Sequence, residues 1–311
     1  MRASIKIFVM SIFIFSFSTQ AKAYNPDLVN LYLLSDVIFN KTFKTTEGKT
    51  LIFEASSGDV RIYTTDKPEI RFRIFGDTDA LDKLDILYYE TSSGIKIKVK
   101  RISSIWSFFL GKIYVDYELL VPKRYNLNII SSGGDILVKN LTGAVKLKTS
   151  GGVIKAEQIY GEVNSTTSGG DIVLKSIIGN VNAMTTGGDI RLEEIEGDVN
   201  TSTTGGDIRL KVKHGSVSAK TTGGDIVIDL YGEEKAIKAS TIGGDIRVTL
   251  DDDFQGYFNL STIGGDVYCD FQMTNIFSKS SSKLEGELKK SEPKVECKTT
   301  GGDIKVLKRG N

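Results

Sequence analysis

The chain has 311 residues, a formal net charge of +1, 25% charged residues, 32 glycines, two cysteines and one histidine. That length suits one elongated body or two domains. The balanced charge gives no electrostatic reason to expect nucleic acid as a partner, and His214 is the sole candidate for a histidine base.

Residues 1–23 read as a secretory signal peptide: Arg2 and Lys6 open it, an apolar stretch covers 7–17, and Ala21-Lys22-Ala23 forms a small-x-small cleavage site. The apolar stretch is too short to span a bilayer, and no later segment offers the roughly 20 apolar residues that a membrane span needs. No cysteine comes directly after Ala23, so a lipid anchor there is not expected. Removing the segment takes away Arg2, Lys6 and Lys22 and moves the net charge from +1 to −2. An exported protein of the periplasm, cell surface or extracellular space is the expectation.

Residues 24–128 lack a regular repeat but are patterned as β-structure. A short helix is expected over 26–39. Residues 49–63 read as two strands around Ser57-Gly58-Asp59, while 69–74, 84–91 and 95–100 alternate as strands do. Another strand over 114–121 is stopped by Pro122. The region is expected to cap the open edge of the repeat array that begins at residue 129, since such an array needs a cap. Within it, Ile105-Trp106-Ser107-Phe108-Phe109-Leu110 is read either as buried core or as an exposed apolar contact loop carried by Trp106, Phe108 and Phe109.

From residue 129 to 311 a repeat takes over. Nine Gly-Gly pairs begin at 133, 151, 169, 187, 205, 223, 243, 264 and 301; the first five intervals are 18 residues, and the next three are 20, 21 and 37. A period of this size is the mark of a solenoid. A second glycine at 143, 161, 179, 197 and 215 marks an opposite corner, so each unit is two short strands joined by two turns. Side chains alternate across a strand. Ile190 and Leu192 therefore share a face on the first strand, as Val199, Thr201 and Thr203 do on the second, and both sets should point inward, with Leu141, Ile159, Ile177 and Ile195 filling the corner. The constant period lays each strand above its predecessor, in parallel. About nine such coils, at about 4.8 Å each, make a rod of roughly 43 Å.

Eight of the nine pairs are succeeded by aspartate: Asp135, Asp171, Asp189, Asp207, Asp225, Asp245, Asp266 and Asp303, with Val153 as the exception. They are expected to form a structural turn ladder whose carboxylates cap backbone N–H groups. A calcium roll would need Gly-Gly-x-Gly-x-Asp in each half-turn. One Asp per coil supplies too few oxygens for that ion, so no metal or cofactor is expected.

The 37-residue interval reads as one coil carrying a surface loop near 271–294. That register sets Cys269 and Cys297 on facing walls of the last full coil and predicts a disulfide between them, unless a degenerate coil through Gly286 separates them.

These residues resemble the bacterial "putative-adhesin" family, an exported β-strand-repeat domain of unknown function. The resemblance lies in the signal peptide, Ser56-Ser57-Gly58-Asp59-Val60, Leu120-Val121-Pro122-Lys123 leading into Leu127-Asn128-Ile129, and the recurring Ser/Thr-Gly-Gly-Asp-Ile. It implies an all-β, parallel, right-handed β-solenoid on an envelope protein, and it brings no catalytic or binding residues. The reading is a non-catalytic, adhesin-like protein that binds a polysaccharide or an envelope protein through a flat wall, with self-association as a further mode. One alternative is a β-helix carbohydrate-active enzyme using pairs such as Asp207 with Arg209 or Asp245 with Arg247; those pairs recur as repeat positions, whereas a catalytic site should break the repeat. Another is a self-assembling envelope scaffold. A threonine ice-binding face is disfavoured, because Thr166, Thr186, Thr204 and Thr222 stand beside Asn, Lys and Met.

Overall fold

The computed structural model describes residues 36–102 and 114–310. The signal segment and the Trp106, Phe108 and Phe109 stretch lie outside the described residues. So does most of the helix expected over 26–39, whose last residues, from Asp36, instead open a strand. The described residues are all-β, with 25 strands in one hydrogen-bonded sheet and most pairings parallel.

The first strands are β1 (Asp36–Lys44), β2 (Thr50–Ala55), β3 (Val60–Thr65), β4 (Glu69–Gly76), β5 (Leu84–Thr91), β6 (Gly94–Arg101) and β7 (Val115–Pro122). β4 runs antiparallel to both β1 and β7, and β5 runs antiparallel to β6. β2 and β3, joined by the Ser57-Gly58-Asp59 turn, lie parallel to β6 and β7 on one side. On their other side lie β8 (Asn126–Ser131) and β9 (Ile136–Thr142), again parallel. The earliest rung is thus held between two later ones. Phe53, Phe72 and Tyr117 fill its interior, with the Phe53 ring 5.6 Å from Phe72 and 5.3 Å from Tyr117. Such edge-to-face pairs add about 0.5–1.5 kcal/mol beyond the area that they bury.

The middle is regular. β10 (Val145–Lys148), β12 (Val163–Thr166), β14 (Val181–Met184) and β16 (Val199–Ser202) continue the wall begun by β8; β11 (Ile154–Tyr160), β13 (Ile172–Ile178) and β15 (Ile190–Glu196) continue the wall begun by β9. β17 (Ile208–Lys220) and β18 (Ile226–Ser240) each pass through both walls. The wall after each Gly-Gly turn is called the first, the other the second. Partners lie 18 residues apart in the chain: Ile172 pairs with Ile190, and Ile190 with Ile208. All three are fully buried. Parallel strands usually need cover on both faces; here the two walls cover each other's inner face. Burying one such side chain contributes about 1.5–3 kcal/mol, so the aliphatic columns are the main cohesive element. The first-wall strands bend where Asn140, Gln158, Ser176 and Glu194 take left-handed φ of 54–59°. The bend turns Leu141, Ile159, Ile177 and Ile195 inward, and all four are fully buried.

The far end departs from the expected order. After β19 (Ile246–Leu250), β20 (Tyr257–Ser261) and β21 (Val267–Cys269), the chain reverses through β22 (Asn275–Lys279) and β23 (Lys283–Glu287), then forms β24 (Lys294–Lys298) and β25 (Ile304–Lys308). β22 and β23 are an antiparallel hairpin whose second strand also pairs antiparallel with β20, so the segment near 271–294 is not a loop, and Gly286 lies in β23 rather than in a further coil. β24 inserts between β18 and β20, and β25 between β19 and β21. The last strands in sequence therefore form an inner rung in space, between β18–β19 and β20–β21.

Candidate binding wall

The aspartates do form a ladder, and each reaches to the next rung rather than to its own turn. Oδ1 of Asp171, Asp189, Asp207 and Asp225 accepts the backbone N–H of Asp189, Asp207, Asp225 and Asp245 at 2.8–2.9 Å. Asp245 then serves Asp303, and Asp303 serves Asp266, at 2.8 and 3.0 Å. At the other end Asp59 serves Asp135, which serves Val153, at 3.0 and 2.8 Å. Val153 has no side-chain oxygen to pass on. The backbone N–H of Asp266 holds the Asp303 carboxyl below its ordinary range, whereas burial pushes Asp59 above it. Arg209 pairs with the other oxygen of Asp207 at 2.9 Å. Asp207 with Arg209, one of the two acid–base pairs weighed under the enzyme alternative, is thus bound into the turn.

Beside this ladder runs one that sequence reasoning missed. Thr149, Thr167, Thr185, Thr203 and Thr221 are buried, and each hydroxyl donates to the second glycine carbonyl of the preceding rung at 2.9–3.0 Å. Each also accepts the N–H of the second glycine of its own turn at 3.3–3.4 Å. The available signal was a threonine two places before eight of the nine Gly-Gly pairs, with Ser131 before the first. The second glycine is obligatory for close approach: a Cβ on Gly206 would lie 2.1 Å from the Gly188 carbonyl oxygen.

With the turn aspartates and the threonines taken up by the fold, two sets of outward polar side chains stand in register: charged ones on the first wall, such as Arg191 beside Arg209, and uncharged ones on the second. Asn164 pairs with Asn182, and Asn182 with Asn200. Asn200 Nδ2 donates to Asn182 Oδ1 at 3.1 Å, and Asn164 Nδ2 donates to Glu162 Oε1 at 2.7 Å. At the adjoining corner Asn180 Oδ1 accepts the Asp198 N–H at 3.1 Å, and Asp198 Oδ1 accepts the Ser216 N–H at 2.8 Å. A shallow groove runs between corner and wall, lined by Asn180, Asn182, Asp198, Asn200, Ser216 and Ser218.

Other sequence candidates fall elsewhere. Cys269 and Cys297 are free thiols, not a bridge: Cys269 lies on β21 and Cys297 on the inserted β24, so they belong to neighbouring rungs instead of facing each other in one. Burial pushes their pKa values up to about 11 and about 12. His214 sits at a corner, where its Nδ1 accepts the Glu233 N–H at 2.9 Å. Among the described residues no group of three or more His, Cys, Asp or Glu is gathered to hold a metal ion, and no helix is long and apolar enough to cross a membrane.

Several solved structures are similar to the chain in outline. A "putative lipid binding protein" from Parabacteroides distasonis is 15% identical, covering 86% of this chain and 96% of that one, with a TM-score of 0.46. A "putative adhesin" from the same species is 12% identical, with the same coverage and a TM-score of 0.43. A "putative adhesin" from Bacteroides fragilis is 13% identical, again covering 86% and 96%, with a TM-score of 0.38. No curated protein matches the chain. The Toastrack DUF4097 family matches residues 48–307, most of the chain's length, and the chain belongs to that family.

Proposed function

We propose that this chain is an exported, non-catalytic envelope or cell-surface repeat protein that binds an extended partner along its second wall. Residues 1–23 would direct export and be removed. The part before residue 129 caps one end of a right-handed solenoid of 18-residue coils. The carrying observation is the row of Asn164, Asn182 and Asn200, in register on the outward side of three successive rungs, the first two half-buried and the third exposed. The turn aspartates and threonines serve the backbone and the outward first-wall positions are largely charged, whereas these asparagines are uncharged and bond only side chains. A rigid row of donors and acceptors on a flat sheet suits a ligand that is itself extended.

The test is co-sedimentation of the purified chain, lacking residues 1–23, with cell envelopes of the source organism. Binding should fall when Asn182 and Asn200 are replaced by leucine and persist when first-wall Arg191 and Arg209 are replaced by glutamine. Equal binding by both double variants would refute the assignment to the second wall. Absence of binding by the parent chain would refute an envelope role.

A further inference from the structure

The same groove restricts what its partner can be, and the restriction rests on the reading of the second wall as the binding face. We propose that it takes a linear, uncharged polysaccharide lying along the long axis of the stack.

Charge supplies the first reason. The outward positions of β12, β14 and β16 are Asn164 and Thr166, Asn182 and Met184, Asn200 and Ser202, with no ionisable group among them. The equivalent first-wall positions on β11, β13 and β15 include Lys155, Glu157, Lys175, Arg191 and Glu193. The charged residues lining the groove are Glu162 and Asp198 at its corner and a single cation, Lys238, on β18. A uronic-acid polymer would bring like charge against both carboxylates. A neutral polymer meets acceptors for its hydroxyl protons.

Spacing is the second. Rungs are about 4.8 Å apart, close to the length of one pyranose unit, so successive sugars meet the same groups on successive rungs. A carboxamide offers donor and acceptor side by side, which matches a pair of neighbouring hydroxyls.

Preorganisation is the third. The bond from Asn200 to Asn182 fixes both side chains and does not use Asn182 Nδ2 or Asn200 Oδ1; the Asn180 to Asp198 and Asp198 to Ser216 bonds fix the corner in the same way. Side chains already ordered lose little entropy when a ligand arrives. A protein partner would gain most from exposed apolar anchors, and Met184 alone fills that role on these three strands.

Affinity gel electrophoresis of the chain lacking residues 1–23 tests this with glucomannan, mixed-linkage β-glucan, dextran and polygalacturonate in separate gels. At least one neutral polymer should retard the protein, with little sensitivity to salt. The Asn182→Leu, Asn200→Leu double variant should weaken that binding about tenfold or more. Asn200→Asp, which keeps the size and adds charge, should weaken it as well. Thermal unfolding of each variant checks that the fold is intact. Retardation by polygalacturonate alone, by no neutral polymer, or equally for parent and variants would overturn the proposal. If envelope binding depends on Asn182 and Asn200 while no neutral polymer retards the protein, the wall is still the binding face and the glycan assignment alone falls.

Discussion

Asp245 accepts a hydrogen bond from the backbone N–H of Asp303, 58 residues further along the chain, at 2.8 Å. Each of the regular bonds of this ladder joins residues 18 apart. The exception shows that the last rung made is not the last rung in space, and that it adopts the local chemistry of the site where it inserts.

The inserted rung is held by Arg309, whose Nε donates to Asp251 at 2.7 Å and whose Nη2 reaches Asp229 and the Leu230 carbonyl, the guanidinium lying over the Tyr231 ring. Arg309→Ala should cost about 2 kcal/mol, given partly exposed charge-assisted bonds. Denaturant unfolding measures this, and protease should cut first near the β22–β23 hairpin.

The two glycines of a pair should differ sharply. A Cβ on Gly205 meets nothing nearer than 3.6 Å, an ordinary contact, whereas one on Gly206 meets backbone at 2.1 Å. Gly205→Ala should change stability by about 1 kcal/mol at most. Gly206→Ala should cost about 3 kcal/mol. Melting curves of the two variants, side by side, decide it.

Thr203→Val keeps shape and removes the hydroxyl that bonds the Gly188 carbonyl and the Gly206 N–H. Leaving both buried backbone groups without that partner should cost about 1–3 kcal/mol. Thr204→Val, at the exposed neighbouring position, should be nearly neutral.

Acid should loosen the structure. The Lys96 bond on Glu54, the Lys213 bond on Glu196, the Lys283 bond on Glu285 and the Asp266 N–H on Asp303 all hold these carboxyls below their ordinary values. Their contribution is present above the unfolded-state pKa and lost as pH falls through the folded one. Asp59, raised by burial, works in the opposite sense. At the alkaline end, the Glu285 bond raises Tyr257 to about 12. That contribution is complete below the ordinary tyrosine value and lost as pH climbs toward 12. Melting temperature against pH should fall at both extremes, and Tyr257→Phe should flatten the alkaline limb.

The thiols give a direct count. Cys297 is fully buried and Cys269 partly so. A thiol reagent should react slowly or not at all with the native chain, and with two thiols once it is denatured without reductant. Zero thiols after denaturation would mean that a bridge forms.

Much of the middle was legible because its pattern is local. Ile172, Ile190 and Ile208 recur at a constant period, alternation sets the inward face, and the neighbouring rung is the adjacent stretch of chain. The insertion of β24 and β25 was not legible: Val295, Cys297, Ile304 and Val306 carry the same inward pattern whichever rungs flank them. The β22–β23 hairpin hid behind serines and lysines, because β22 lies at the edge and β23, between β20 and β22, buries only Leu284 and Gly286. The bonding of the second-wall asparagines was not legible, since hydrogen bonds between one rung and the next are visible only once the rungs are stacked.

Because β2 with β3, and β24 with β25, are each enclosed by parts of the chain that are not their sequence neighbours, the number of units can change at neither end by copying a terminal stretch. A duplicated terminus would displace its own lock. Growth or shortening of such a protein is confined to the interior units between residues 133 and 223, where one more 18-residue segment meets the same neighbours above and below. Length can therefore evolve while both ends stay unchanged.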